Sequence, residues 1–242
     1  MRDLLVLDLG LRGYAEALSF QRAVAAARLA QRIPDDVLLL VEHPPVITTG
    51  RSTKAANLLA SPALLAARGV ELHDVERGGD VTFHGPGQLV GYPIVDLTGH
   101  RQDLHWYLRQ VEEVLIRGVR PFGVDAERNP GKTGIWTNGR KLASIGVHAR
   151  QWVTWHGFAL NVTTDLSYFD LMVPCGLDGV AMTSVAQELL ERASGACLAP
   201  SPDLPDAVRA AVVRSFGEVF ERQPVASTEA ALAAALVPPP ES

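Results

Sequence analysis

The chain has 242 residues, of which 47% are hydrophobic and 20% charged, and its formal net charge at pH 7 is −5. This acidic balance, with a pI near 5.8, argues against nucleic acid as the main partner. The apolar runs fall short of the roughly 18 residues typical of a membrane-spanning helix, so we expect no membrane partner.

Two cysteines and the lack of a signal-peptide pattern indicate a reducing cytoplasm. This length can build one substantial hydrophobic core. We therefore expect a single domain over residues 1–242, with a globular core over about 1–222 and a C-terminal helix and frayed tail over 223–242.

Strand and helix patterns alternate through the first half of the chain. In order, they predict a strand at Leu4–Leu9, a helix near Tyr14–Arg32, a strand at Val37–Val41, a short helix that Ser61 and Pro62 begin, and strands near Val70–Val75, Val81–Phe83 and Gln88–Val95. A helix near Asp103–Arg120 follows. This mixture predicts an α/β (α+β) fold, in which helices pack on a mixed sheet.

The segment Arg77–Pro93 is rich in glycine, with five glycines between residues 78 and 92. Glycine inside strand-like sequence marks places where a backbone or a ligand approaches closely. A tight turn explains Gly85–Gly87 alone but leaves Arg77, His84 and Gln88 unexplained. We therefore interpret this segment as a candidate binding site.

Residues 134–163 have a β pattern, with Asn138-Gly139 as a strong signal for a two-residue hairpin turn. Lys141 opens the returning strand, and strict alternation would place it on the same face as Ala143. A lysine at a strand end is usually a solvated charge. Here the small residues that follow suggest that the chain leaves room around it.

Cys175 lies between a proline and a glycine, at a backbone corner that can expose its sulfur. A cysteine thiolate can accept and release an acyl group, but a free thiol with a pKa of about 8.5 needs a nearby cation or base. A lone cysteine is more often an inert buried thiol, and we interpret Cys197 in that way.

The C-terminal part of the chain is predicted to be helical. Ser184 to Gln187 resembles a capping box, and helices are predicted over 204–222 and 228–236.

The glycine-rich segment, the hairpin with Lys141 and the Pro174-Cys175-Gly176 corner together resemble the lipoyl(octanoyl) transferase family. Similar stretches also occur at Glu42–Val46, His156–Val162 and Phe169–Leu177, so the resemblance spans roughly residues 40–190. Phe83 departs from the pattern, because the family resemblance leads us to expect tyrosine there.

This resemblance implies the catalytic fold of biotin and lipoate protein ligases. It implies transfer of an octanoyl group from octanoyl-acyl carrier protein, through a cysteine thioester, to a lysine of the lipoyl domains of 2-oxoacid dehydrogenase E2 subunits and of glycine-cleavage H protein. No cofactor or metal is implied. The implied site residues are Cys175 and Lys141 for catalysis and, for the acyl group, Arg77, Gly78, Gly79, Asp80, Val81, Thr82, Phe83, His84, Ser144, Ile145, Gly146, Gly157, Phe158 and Ala159.

Within this scheme, Lys141 would lower the pKa of the Cys175 thiol and move protons. The backbone N–H of Gly176 is a candidate for stabilising the oxyanion. His84 and His148 could polarise the carbonyl or serve as structural hydrogen-bonding residues. The carboxylates of Asp80 and Asp178 are interpreted as surface or turn groups.

Three alternatives remain open at the level of sequence. An ATP-dependent lipoate or biotin ligase would share the fold and the lysine but needs no nucleophilic cysteine. An octanoyl amidotransferase acting between lipoyl-domain proteins would use the same cysteine and would differ in its acyl donor. A non-enzymatic carrier-binding module would form no covalent adduct.

Overall fold

The computed structural model describes residues 2–176, 179–193 and 201–237. Its larger sheet has eight strands: β1 (Arg2–Leu11), β2 (Asp36–Glu42), β6 (Gln88–Ile94), β7 (Glu127–Asn129), β8 (Lys132–Thr137), β9 (Arg140–Arg150), β10 (Val153–Asn161) and β11 (Arg222–Ala226). They are ordered β11-β1-β2-β6-β10-β9-β8-β7. Strand β1 is parallel to β2 and β11, and the other neighbouring pairs are antiparallel.

A smaller sheet is formed by β3 (Val46–Thr49), β4 (Glu71–Asp74) and β5 (Thr82–His84), in the order β4-β3-β5. The helices are α1 (Tyr14–Leu29), α2 (Pro62–Ala67), α3 (Leu104–Val119), α4 (Val185–Arg192), α5 (Leu204–Phe220) and α6 (Glu229–Leu236). The predicted fold class, a mixed sheet flanked by helices, is confirmed. Among the residues that the structure describes, no helix is long and apolar enough to cross a membrane.

Strand β2 shows why the sheet carries helices on both faces. Leu38 and Leu40 pack in one core cluster together with residues of α3 and α5. Leu39 and the other odd-numbered residues of the strand pack in a second cluster together with α1 and Leu232 of α6. A strand buried on both faces reads as a continuous apolar run, and the sequence of β2 has this pattern.

The C-terminal boundary of the core requires correction. Strand β11 pairs with β1 in parallel, from Arg2 opposite Arg222 to Val6 opposite Ala226. The expected end of the globular core near residue 222 therefore cuts into a strand of the larger sheet. Pro224 is compatible with this position because β11 is an edge strand. The expected frayed tail falls largely on 238–242, which lie outside the described residues.

The predicted hairpin and one of the predicted helix starts are confirmed in their local geometry. Asn138 and Gly139 both have positive φ, 49° and 75°, as a two-residue type I′ turn requires. The Ser61 hydroxyl accepts a hydrogen bond from the Leu64 amide at the start of α2. The capping box at α4 is half formed, because Ser184 accepts from the Gln187 amide while the Gln187 side chain binds elsewhere.

Strand β9 departs from strict alternation beside Lys141. The register shifts so that Ile135 lies opposite Ala143 while the next residue of β8, Trp136, lies opposite Lys141. Leu142 is therefore the extra residue of a bulge, which changes the direction of the side chains beyond it. Lys141 lines a cavity, whereas Ala143 packs in the main core. The expectation that these two residues share a face is wrong.

Candidate active site

A cavity of about 510 Å³ is lined by residues of both sheets, and most of the residues proposed from the sequence border it. Those that do are Arg77, Gly78, Gly79, Asp80, Thr82, His84, Lys141, Ser144, Ile145, Gly146, Gly157, Phe158 and Ala159. A volume of this size is ordinary for a small-molecule site. Strand β5 and the hairpin of β9 and β10, which are far apart in the sequence, thus bring their predicted residues together.

Val81 and Phe83 do not border this cavity. Both are buried in a separate cluster beneath the smaller sheet, with Ile47 and Phe169 among their neighbours. The Phe83 ring stacks on Tyr168 with 4.6 Å between ring centroids. Because successive strand residues point to opposite sides, Thr82 and His84 face the cavity while Val81 and Phe83 pack behind them.

Arg77 holds the glycine-rich segment against the smaller sheet. Its guanidinium donates to the backbone oxygen of Thr48 at 2.7 Å and to the Thr48 hydroxyl at 2.8 Å. The adjoining Gly78 donates its N–H to Val147 of β9. A Cβ at Gly146 would lie 2.8 Å from the Gly78 oxygen. Glycine at position 146 therefore allows the segment to pass close to β9.

The backbone turn at Pro174–Gly176 lies beside the cavity wall. A Cβ at Gly176 would collide with the carboxylate of Asp80, which lines the cavity. Asn57 joins the two, because its side chain donates to Asp80 and its oxygen accepts from the Val173 amide. Asp80 is buried, so the interpretation of its carboxylate as a surface group is wrong.

The backbone amide that follows Cys175 is already hydrogen-bonded within its own turn. The Gly176 N–H donates to the Val173 oxygen at 3.0 Å, so this amide is engaged within the turn and does not serve as the expected oxyanion donor. The side chain of Cys175, together with Asp178 and Cys197, lies outside the part of the chain that the structure describes.

Lys141 is buried, with 2% of its surface exposed. Its Nζ lies 5.5 Å from the centroid of the Trp136 ring, within the range of a cation–π contact. A Cβ at Gly134 would lie 3.0 Å from Lys141 Cε. Glycine at position 134 therefore leaves space for the lysine side chain.

Hydrogen bonds determine the tautomer of His84, and burial determines its charge. Gln88 Nε2 donates to the Phe83 oxygen and to Asn161 Oδ1, so Gln88 Oε1 is the group that faces His84 Nδ1, at 2.9 Å. His84 Nδ1 must therefore carry a hydrogen. Burial lowers the pKa of His84 to about 3, so the ring is neutral. His148 is not among the residues lining the cavity, and its Nδ1 pairs with the Glu76 backbone oxygen.

Sequence reasoning missed Tyr14, Tyr92 and His156, which also line the cavity. Burial raises the pKa of Tyr14 to about 12 and lowers that of His156 to about 4. His156 has a φ of +55° within β10, a conformation that non-glycine residues seldom adopt and that often marks functional sites. Tyr92 lies in the candidate segment Arg77–Pro93 and His156 in the family-like stretch His156–Val162, but neither was singled out, because α1, β6 and β10 meet only in the folded chain.

A second missed set lies on another part of the cavity wall. It comprises Leu104, His105 and Leu108 from the start of α3, Gly131 from the β7–β8 turn, and Lys132 and Thr133 from the start of β8. The Lys132 Nζ lies 5.2 Å from the centroid of the Trp136 ring, the same ring that Lys141 contacts.

Comparisons with known proteins agree on one family. A family model described as the lipoyl protein ligase A/B catalytic domain matches residues 13–198. An octanoyltransferase of Gloeobacter violaceus is 54% identical over 173 residues, which are 72% of this chain and 76% of that protein. An octanoyltransferase of Acidobacterium capsulatum is 48% identical over 231 residues and covers 90% of each chain.

Solved structures show the same fold at low sequence identity. A lipoate-protein ligase A bound with ATP superposes with a TM-score of 0.71 at 20% identity, over 97% of this chain and 92% of that one. A bi-partite lipoate protein ligase of Thermoplasma acidophilum gives a TM-score of 0.69 at 18% identity, over 97% and 91%. The expected similarity to the catalytic fold of lipoate ligases is confirmed.

Proposed function

This chain is an acyltransferase and belongs to the lipoyl(octanoyl) transferase family; on that premise we propose that it moves an octanoyl group from octanoyl-acyl carrier protein to a lysine of a lipoyl domain, through a thioester on Cys175. The acceptors are the lipoyl domains of 2-oxoacid dehydrogenase E2 subunits and the glycine-cleavage H protein. Residues 1–242 act as one catalytic domain, since both sheets contribute to the same cavity.

The observation that carries this proposal is the meeting of three sequence-distant segments at one cavity. The glycine-rich segment and Lys141 both line it. The backbone turn containing Cys175 packs on Asp80, another lining residue. Bringing a nucleophile, a cation and an acyl pocket together is what a thioester-exchange enzyme requires.

In the first step the Cys175 thiolate attacks the carbonyl carbon of the donor thioester. The bond from that carbon to the carrier sulfur breaks, and the leaving sulfur takes a proton that Lys141 supplies. In the second step the ε-amine of the acceptor lysine attacks the Cys175 thioester. The carbon–sulfur bond breaks, an amide forms, and the proton lost by the amine passes to Lys141. One thioester replaces another and is then exchanged for an amide, so neither step consumes ATP.

The wall around the glycine-rich segment suits the octanoyl chain. Ile145 and Phe158 offer apolar surface, and each buried methylene contributes about 0.8 kcal/mol. Gly78, Gly79 and Gly146 add no side chains that would narrow the cavity. His84 is neutral, so its ring adds no charge to this part of the wall.

Intact-mass measurement tests the proposal directly. The protein is mixed with octanoyl-acyl carrier protein, without acceptor and without ATP. We expect a single octanoyl adduct on the wild-type protein and on the matched control Cys197→Ser, and none on Cys175→Ser. Addition of a lipoyl domain should then remove the adduct and octanoylate the domain.

Other results would point to the alternatives. An adduct on Cys197, or none on either cysteine, contradicts the mechanism. Acceptor modification that requires ATP and free octanoate would identify a ligase. An adduct that forms from octanoylated H protein but not from the carrier protein would identify an amidotransferase.

A further inference from the structure

Glu188 of α4 is a buried carboxylate beside the strand that carries Lys141. It is 3% exposed. Its oxygens accept hydrogen bonds from the Thr183 hydroxyl at 2.6 Å and from Asn138 Nδ2 at 3.0 Å, and Arg140 Nη2 lies 2.8 Å away. A carboxylate is costly to bury unless it is paired and hydrogen-bonded, and these three donors meet that need.

The groups that bind the Glu188 carboxylate come from two segments next to Lys141. Asn138 and Arg140 precede Lys141 in the chain, and Thr183 belongs to the segment that pairs with it. Arg140 immediately precedes Lys141 on β9. On the other side, the Lys141 N–H donates to the Ala181 oxygen at 2.8 Å, and the Thr183 N–H donates to the Lys141 oxygen at 2.9 Å. Glu188 therefore fastens the strand of Lys141 to the segment with which that strand pairs.

The segment Ala181–Thr183 is also anchored from the sheet. Asn161 Nδ2 donates to the Thr183 oxygen at 3.0 Å, and Asn161 Oδ1 accepts from Gln88, which in turn binds His84 of the cavity wall. Five residues separate Gly176 from Met182, the midpoint of this segment. A shift of the segment would thus change the placement of Lys141 relative to the turn that contains Cys175.

We propose that Glu188 is a positioning residue for the acyl transfer: by binding Arg140 and Thr183 it fixes Lys141 in relation to Cys175. This inference rests on the proposed function of these two residues. Glu188 is not among the residues that line the cavity, so it acts through Lys141 and has no contact with substrate. A misplacement of about 1 Å at a reacting group can cost on the order of 10²-fold in rate.

The test compares Glu188→Gln with Glu191→Gln, both in a Cys197→Ser background. Glu191 binds the same Arg140, but its side chain is 47% exposed and its other hydrogen bond is from the neighbouring Gln187. The two variants therefore remove the same charge from Arg140 and differ in the link to Thr183 and Asn138. The readouts are the single-turnover rate of Cys175 acylation by octanoyl-acyl carrier protein, and the rate of Cys175 alkylation by iodoacetamide as a function of pH.

For Glu188→Gln we expect acylation slower by about 10- to 100-fold, with the alkylation profile moved to higher pH because the cation stands farther from the thiol. Glu191→Gln should match the wild type in both. Thr183→Val, which removes one donor and leaves the carboxylate with Arg140, should shift the profile in the same direction by less, and it provides the test if Glu188→Gln does not fold.

A lower thermal midpoint with an unchanged alkylation profile would show that Glu188 only stabilises the fold, and would overturn the proposal. An equal profile shift in Glu191→Gln would overturn it as well, because the effect would then arise from the charge of Arg140. Failure of the proposed function is a separate result, namely a wild-type protein that forms no Cys175 adduct although its alkylation profile can still be measured.

Discussion

Lowering the pH from 7.5 to 5.5 should destabilise this protein by about 4 kcal/mol, because three buried histidines must remain neutral in the folded state. Burial lowers the pKa of His43 to about 4, that of His84 to about 3 and that of His156 to about 4. In the unfolded chain each imidazole returns to a pKa of about 6.5. The unfolded state therefore binds more protons as the pH falls through 6.5, and stability is lost continuously until the native pKa values are reached.

The magnitude follows from the linkage between proton binding and folding. At pH 5.5 an unfolded histidine is protonated about ten to one, so keeping it neutral costs about 1.4 kcal/mol, against about 0.1 kcal/mol at pH 7.5. Each histidine thus contributes about 1.3 kcal/mol, and the three together contribute about 4 kcal/mol. The native pKa values all lie well below 5.5, so this sum is insensitive to their exact size. In the unfolded chain, aspartate and glutamate have ordinary pKa values of about 4 and stay largely ionised over this range.

Urea unfolding followed by tryptophan fluorescence at pH 7.5, 6.5 and 5.5 measures this loss. The matched variant is His156→Asn, because asparagine tolerates the positive φ of this position and does not titrate. It should lose about 1.3 kcal/mol less than the wild type between the two pH limits.

Two results would refute the reasoning. A free energy of unfolding that is independent of pH between 7.5 and 5.5 would show that the buried imidazoles accept protons without penalty. A pH dependence in His156→Asn equal to that of the wild type would show that His156 is not held neutral.

The remaining predictions concern the acyl site. Lys141→Met should slow Cys175 acylation by about 10²- to 10⁴-fold in single-turnover assays, the usual contribution of a positioned acid–base group, and an unchanged rate would remove Lys141 from the mechanism. Gly157→Ala should lower the free energy of unfolding in urea by about 3 kcal/mol, because its Cβ would collide with the Gly91 oxygen and lie 2.5 Å from Pro93 Cδ. Gly13→Ala, whose Cβ would meet nothing within 4 Å, should cost about 1 kcal/mol or less, and similar losses in the two variants would contradict the packing argument. Transfer efficiency should fall about 100-fold from octanoyl to butanoyl carrier protein, because burial of four methylenes is worth about 3 kcal/mol. It should also fall for palmitoyl carrier protein, and equal efficiencies for the three donors would exclude a closed acyl channel.

The sequence predicted those parts of the fold whose cause is local. The Asn138-Gly139 turn is determined by two residues that accept positive φ, and β2 by a continuous apolar run. Strand β11 was missed because it is short, contains Pro224 and gains its stability from β1, more than 200 residues away. The bulge at Leu142 was missed for a related reason, since it exists only in the register between β8 and β9.

The residues of the candidate site likewise divide into those that the sequence could identify and those that it could not. His84 and Lys141 could be chosen from the sequence, because unusual glycine content and a hairpin drew attention to their segments. Tyr14 could not, because it begins an ordinary helix. His156 was not singled out although it lies in a family-like stretch, because its positive φ is visible only in the folded strand. Their place in the cavity depends on how α1 and β10 meet, which no local pattern encodes.

Two polar side chains of the cavity wall, Tyr14 and His84, are compatible with an octanoyl chain because they carry no charge. Burial keeps Tyr14 protonated, with a pKa of about 12, and His84 unprotonated, with a pKa of about 3. An imidazolium in this wall would have to give up its hydration when an alkyl chain entered, whereas a neutral ring already bonded to Gln88 gives up much less. The burial that keeps the His84 ring neutral at the acyl site is therefore also a cause of the acid sensitivity of the fold. The urea experiment tests this cause through stability, and the chain-length experiment tests it through binding of the acyl chain.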